Sequence, residues 1–238
     1  MHFSQLLIPA LVTSLGLVAT TSASVLPRNG NGTFDGPDLV SIAEIIEVLE
    51  SQGNITWQDT NGGRVVTVGG TQFQSAKAKV HSKRAELHPR KLKWSSVGQI
   101  LGTGSSSACF GKGQWFTDSV AQPYVTKACD SFLSSFSAGT LANAAWTIWQ
   151  NSPQAQDPQN SKTDVINFAI QPTGSNPPKL TQEMCTQAYD LLTSSQCQGQ
   201  KSNQNGQSQG GEIAVGDVKG AAMEFLLQAL ETGKGGIS

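Results

Sequence analysis

Four cysteines, Cys109, Cys129, Cys185 and Cys197, all lie beyond the first hundred residues of this 238-residue chain. They constrain what it can fold into more than any other feature. The chain has no CxxC pair and no histidine close to a cysteine, so the spacing suits neither a zinc site nor a redox motif. In an oxidising compartment an even set makes two disulfides, drawn from three connectivities. Cys109 belongs to a strand-like run, and Cys129 lies on the inward side of the helix that follows it. That favours a Cys109–Cys129 bridge. Cys185 opens a second helix and Cys197 follows its end. At about 1.5 Å per residue the return along that helix is about 13 Å. Three residues of chain cover roughly 10 Å, and a disulfide tolerates about 5.5 Å between Cα atoms. Adjacent pairing is therefore the expectation, with a crossed bridge between the helices as the alternative.

The amino-terminal residues point to an oxidising destination. An apolar run from Leu6 to Ala19 is followed by small residues, with Thr21 and Ala23 placed for cleavage after Ala23. The run is too short for a membrane span and lacks a basic stop-transfer flank. We read residues 1–23 as a signal peptide and the mature chain as secreted and extracellular, with no transmembrane segment. With 16 basic and 17 acidic residues the net charge is −1, which provides no electrostatic drive toward nucleic acid.

Residues 24–84 contain no cysteine but hold both glycosylation triplets, at Asn31 and Asn54. They end at the dibasic pair Lys83-Arg84, which suits a kexin-type processing protease and separates the cysteine-free part from the cysteine-bearing one. Within this pro-like segment Val40, Ile42, Ile45, Ile46 and Leu49 recur at helical spacing, closed by Gly53. RVVTVGGTQFQ reads as a hairpin turning at Gly69-Gly70. Residues 85–106 read as a basic, flexible linker, with the glycines of LGTGSSS in a loop.

From residue 107 to 238 the pattern is strand, helix, strand, strand, helix, strand. Val120, Ala121, Tyr124, Val125, Ala128 and Phe132 give the first helix its stripe, with Pro123 expected in its first turn. Trp146 and Ile148 share one strand face and Trp149 the other. Ile166, Phe168 and Ile170 alternate with polar or small residues. Thr181 caps the second helix, whose apolar face is Met184, Cys185, Ala188, Leu191 and Leu192. AMEFLLQALE is compatible with a strand or a helix. The fold class expected is α+β: a split βαβ, ferredoxin-like sandwich with two helices on an antiparallel sheet and two disulfides, preceded by a partly folded pro-like segment.

The three histidines are His2, His81 and His88, so the chain from Lys93 onward contains none. That removes Ser-His-Asp, Cys-His and histidine-metal chemistry from that part. Neither a nucleotide motif nor a metal motif occurs, and no cofactor is implied. Asp118, Asp130, Asp164, Glu183, Asp190, Glu212, Asp217 and Glu224 are the carboxylates from which a glycosidase-type pair would have to come. Nothing in the sequence singles out two of them. Of the tryptophans, Trp115 in the polar GKGQWFTDS is the candidate for an exposed binding contact.

The leader, the cysteine-free segment, Lys83-Arg84, the four cysteines and Gly210-Gly211 opening a late strand together resemble small secreted effector-like proteins of filamentous fungi. These include necrosis-inducing extracellular effectors and relatives with a killer-toxin-like α/β sandwich. The resemblance implies a non-enzymatic, virulence-associated protein that binds a host or microbial protein or a wall polysaccharide. A carbohydrate-binding wall protein and a small carboxylate-pair hydrolase are the alternatives.

Overall fold

The computed structural model describes residues 42–84, 95–110, 115–137, 144–151, 164–174, 176–195, 197, 207–216 and 222–231. The expected signal peptide with Ala23, and Asn31, lie outside the described residues.

The cysteine-free segment forms helix α1 (Ile42–Ser51), strands β1 (Gln58–Thr60) and β2 (Gly63–Val68), and helix α2 (Gly70–Arg84). Helix α1 buries Ile42, Ile45, Ile46 and Leu49, the stripe its spacing predicts. It closes at Gly53, whose φ is +65°, with Asn54 N donating to Leu49 O and Gly53 N to Glu50 O. This is the paired bonding of a Schellman cap. The hairpin does not turn at Gly69-Gly70. It turns at Asn61-Gly62, between paired Thr60 and Gly63, because Gly62 supplies the positive φ, +77°, that a two-residue loop needs. Gly70 instead opens α2, which anchors itself through buried Phe73, Ala76 and Val80.

The rest comprises β3 (Ser95–Ile100), β4 (Thr103–Cys109), β5 (Phe116–Thr117), α3 (Asp118–Ser137), β6 (Trp146–Asn151), β7 (Asp164–Thr173), α4 (Gln182–Asp190), β8 (Gln207–Ser208), β9 (Gly211–Gly216) and β10 (Ala222–Glu231). A π turn, Leu191–Ser195, extends α4. The expected linker at 85–106 is thus strand from Ser95 onward. Leu101-Gly102 joins β3 to β4 with φ of 48° and 77°, both positive as in a tight type I′ hairpin. Helix α3 begins at Asp118, so Pro123 falls in its second turn, one turn later than expected. Thr181 caps α4 as its sequence predicts, its side chain accepting from Met184 N.

Eight strands form one antiparallel sheet in the order β1-β2-β6-β7-β10-β9-β4-β3, and β5 pairs with β8 apart from it. AMEFLLQALE is a strand, set between β7 and β9. Side-chain alternation divides the sheet into two faces. Trp149, Phe168, Phe225 and Ile213 pack with α3 and α4. Ile148, Ala169 and Leu226 pack with α1 and α2. Period-2 strands between two helix pairs give three layers.

The expected α+β class, antiparallel sheet and two disulfides are present. The arrangement differs from a two-helix ferredoxin-like sandwich, because β1 and β2 extend the sheet beyond β6 and helices cover both faces. The cysteine-free segment is a layer of this fold. The physical reason is that β6 and β7 carry apolar side chains on both faces, and the second face needs a cover.

The disulfides correct the expected pairing. They join Cys109 to Cys197 and Cys129 to Cys185, with Cα separations of 5.2 and 5.8 Å. Helices α3 and α4 lie side by side, so fully buried Cys129 and Cys185 face each other across their seam. Cys109 pairs in register with Gly211. A Cβ on Gly211 would stand 2.9 Å from Cys197 Sγ, so the glycine makes room for that bridge. Local reach favoured adjacent pairing; helix packing decided otherwise.

Candidate functional site

Helix α3 spends one face on the core and leaves Lys127, Asp130, Ser131 and Ser134 at i, i+3, i+4 and i+7 on another. That stripe faces the β1–β2 hairpin across an open cleft of about 320 Å³, at the lower end of the size usual for ligand pockets. Gln58, Thr60 and Asn61 form the opposite wall, and Val65 contributes apolar surface between them. Thr60 is fixed from behind: its Oγ1 accepts from the Nε1 of fully buried Trp149 at 3.0 Å. The hydroxyl keeps its own proton to donate.

Lys127 is also held. Its stem runs past Gly62, where a Cβ would meet Nζ at 2.8 Å. The ammonium stands 5.8 Å from the Tyr124 ring, within cation–π range. Tyr124 in turn contacts Trp149, with ring centroids 6.2 Å apart. The cleft therefore has a rigid aromatic support, one cation, one anion and several neutral hydrogen-bonding groups.

A second polar feature lies inside the fold. Glu212 on β9 and Glu224 on β10 alternate with core residues facing α3 and α4, so both point toward the α1–α2 side. Each is buried. Burial raises Glu224 to about 8, and the charge of Glu212 adds to the shift. Burial likewise raises Glu212. Lys77 of α2 opposes both shifts. Beside them runs a cross-strand polar row. Arg64 Nε donates to Gln150 Oε1 at 2.8 Å, and Gln150 Nε2 donates to Asn167 Oδ1 at 2.8 Å. Gln228, in register with Asn167, accepts from Ile42 N at the start of α1. This row joins the sheet to the N-terminal layer. With its carboxyls inside the fold, the glutamate pair belongs to that layer contact and not to an open site.

Two of the other carboxylates meet at one donor. Asp118 and Asp190 both accept from Gln122 Nε2, Glu183 is in the first turn of α4, and Asp164 opens β7. Asp217 lies outside the described residues. Among the described residues no group of three His, Cys, Asp or Glu is placed to hold a metal ion, and no helix is long and apolar enough to cross a membrane.

Trp115 is half-buried just before β5 and does not line the cleft. Asn54 is exposed immediately after α1. Lys83 and Arg84 are the last residues of α2. Sequence reasoning weighed Asp130 only as a hydrolase carboxylate and passed over Gln58, Thr60, Asn61, Lys127, Ser131 and Ser134. The helical spacing of the α3 set was a readable signal, whereas the hairpin opposite it was not. Comparisons with protein-family models, with curated proteins and with solved structures return no match.

Proposed function

We propose that this is an exported, disulfide-cross-linked protein of the effector-like or toxin-like kind, which acts by binding a component of a host, a competitor or a wall. The cleft between the β1–β2 hairpin and α3 is its recognition surface. The observation carrying this reading is the cleft's lining: hydrogen-bonding side chains from two elements, backed by buried Trp149. Such an array can hold and orient a ligand.

The leader and the two bridges support an extracellular site of action, since long-range disulfides persist in oxidising compartments. The test is surface labelling of host, competitor and producer cells by the purified protein. Labelling should be saturable and should be abolished by Ser134→Trp, which fills the cleft. Labelling unchanged in that variant would refute the assignment of the surface. Loss on Trp115→Ala alone would shift recognition to the neighbourhood of β5.

A further inference from the structure

Resting on the reading of the cleft as the binding surface, we propose that its ligand is a neutral, hydroxyl-rich chain, an oligosaccharide. The cysteine-free segment is one of the two walls that grip it.

The lining selects among ligand chemistries. Lys127 and Asp130 are three residues apart on one helix and opposite in charge, so the cleft offers no excess charge to a polyanion or a polycation. Lipids and apolar peptides need apolar wall, and Val65 is the apolar side chain contributed. An extended peptide would in addition require alternating side-chain pockets or a free strand edge. The remaining groups are hydroxyls and carboxamides. Ser131, Ser134 and Thr60 both donate and accept, and Gln58 and Asn61 do so through separate atoms. A sugar hydroxyl is likewise donor and acceptor together, so it can be satisfied whichever way it turns. Charged ends on Lys127 and Asp130 strengthen hydrogen bonds to such hydroxyls without demanding a counter-charge.

The two walls come from opposite sides of the Lys83-Arg84 pair. Gln58, Thr60 and Asn61 belong to the cysteine-free segment, and Lys127 to Ser134 to the disulfide-bonded part. They are locked together by the β2–β6 ladder from Gly63↔Asn151 to Val68↔Trp146 and by the Trp149–Thr60 bond. The segment is therefore built into the site. A form lacking it would retain half of the lining.

The experiment is titration of the full secreted chain with laminarihexaose, chitohexaose and an oligogalacturonate, read by calorimetry and by amide chemical shifts. One variant is made on each wall, Gln58→Ala and Ser131→Ala, and the unfolding midpoint of each is measured to confirm the fold. A neutral hexasaccharide should shift cleft amides, and each variant should weaken its binding about fivefold to tenfold, the loss of one hydrogen bond. Binding of the oligogalacturonate alone overturns the neutral-ligand class. Weakening by Ser131→Ala but not by Gln58→Ala overturns the role of the segment. If no glycan binds while Ser134→Trp still abolishes cell labelling, the ligand class fails and the binding surface stands. If Ser134→Trp has no effect either, the surface itself fails.

Discussion

Glu224→Gln replaces a buried acid by a neutral group of nearly the same shape, and its effect on stability should depend on pH. In the folded protein Glu224 is raised from an ordinary 4.5 to about 8, first by burial and then by Glu212, against the pull of Lys77. Below pH 4.5 the acid is protonated in folded and unfolded chains alike and costs nothing. As pH rises from 4.5 toward 8 the unfolded chain ionises and the folded one does not, so stability falls. Above about 8 the folded group ionises too, and the full penalty is reached. At about 1.4 kcal/mol per pH unit, that interval corresponds to roughly 5 kcal/mol as an upper bound. Relaxation and water around the ionised pair bring the loss below that bound. Urea unfolding of the protein at pH 5 and pH 8 measures it. Over the three pH units between them the parent should lose about 2–4 kcal/mol, whereas Glu224→Gln should lose less than half of that, the remainder coming from Glu212. Equal stability of the parent at both pH values, or an undiminished slope in the variant, would refute the placement of these carboxyls inside the fold.

Further expectations concern the framework. Non-reducing peptide mapping should recover Cys109 with Cys197 and Cys129 with Cys185. Replacing Cys129 and Cys185 together by alanine should cost about 4 kcal/mol in denaturant unfolding, the chain-entropy value for so long a loop. Treatment of the full chain with a dibasic-specific protease that cuts after Arg84 should yield two masses under denaturing conditions but one under native conditions. The reason is that Ile42, Ile45, Leu49, Val66, Val68 and Phe73 are buried against Trp146, Ile148 and Leu226, at roughly 1.5–3 kcal/mol for each such side chain. Release of the N-terminal piece would contradict that packing. Gly210→Ala should destabilise by more than about 2 kcal/mol, because φ there is +79° and the new Cβ would meet the carbonyl oxygen of Leu227 at 2.0 Å. An unchanged thermal midpoint would count against the close approach of β10.

Several elements were legible residue by residue because their causes are local. The Ile42–Leu49 stripe, the Gly53 cap, the Thr181 cap and the alternation through Ile166, Phe168 and Ile170 each depend on neighbours within a few positions. So did the opposite faces of Trp146 and Trp149. Where two local signals competed, the choice was not local. Asn61-Gly62 and Gly69-Gly70 both offer a turn, and pairing of β2 with β6 selects the first. AMEFLLQALE has the composition of a helix, yet it is a strand because β7 and β9 flank it in register and Glu224 and Gln228 share a face with Leu226.

By itself, then, the sequence determined the apolar faces of α1, α3, β6, β7 and α4, the caps at Gly53 and Thr181, and an even set of cysteines. Only the tertiary structure decided which cysteines meet, that the cysteine-free segment completes the sheet, and that Gln58 and Thr60 stand across from Lys127 and Ser131. The physical reason is range. Hydrophobic periodicity and capping are set by contacts a few residues apart, whereas strand order, helix seams and clefts depend on which buried faces can cover one another far along the chain, 56 and 88 residues apart for the two disulfides.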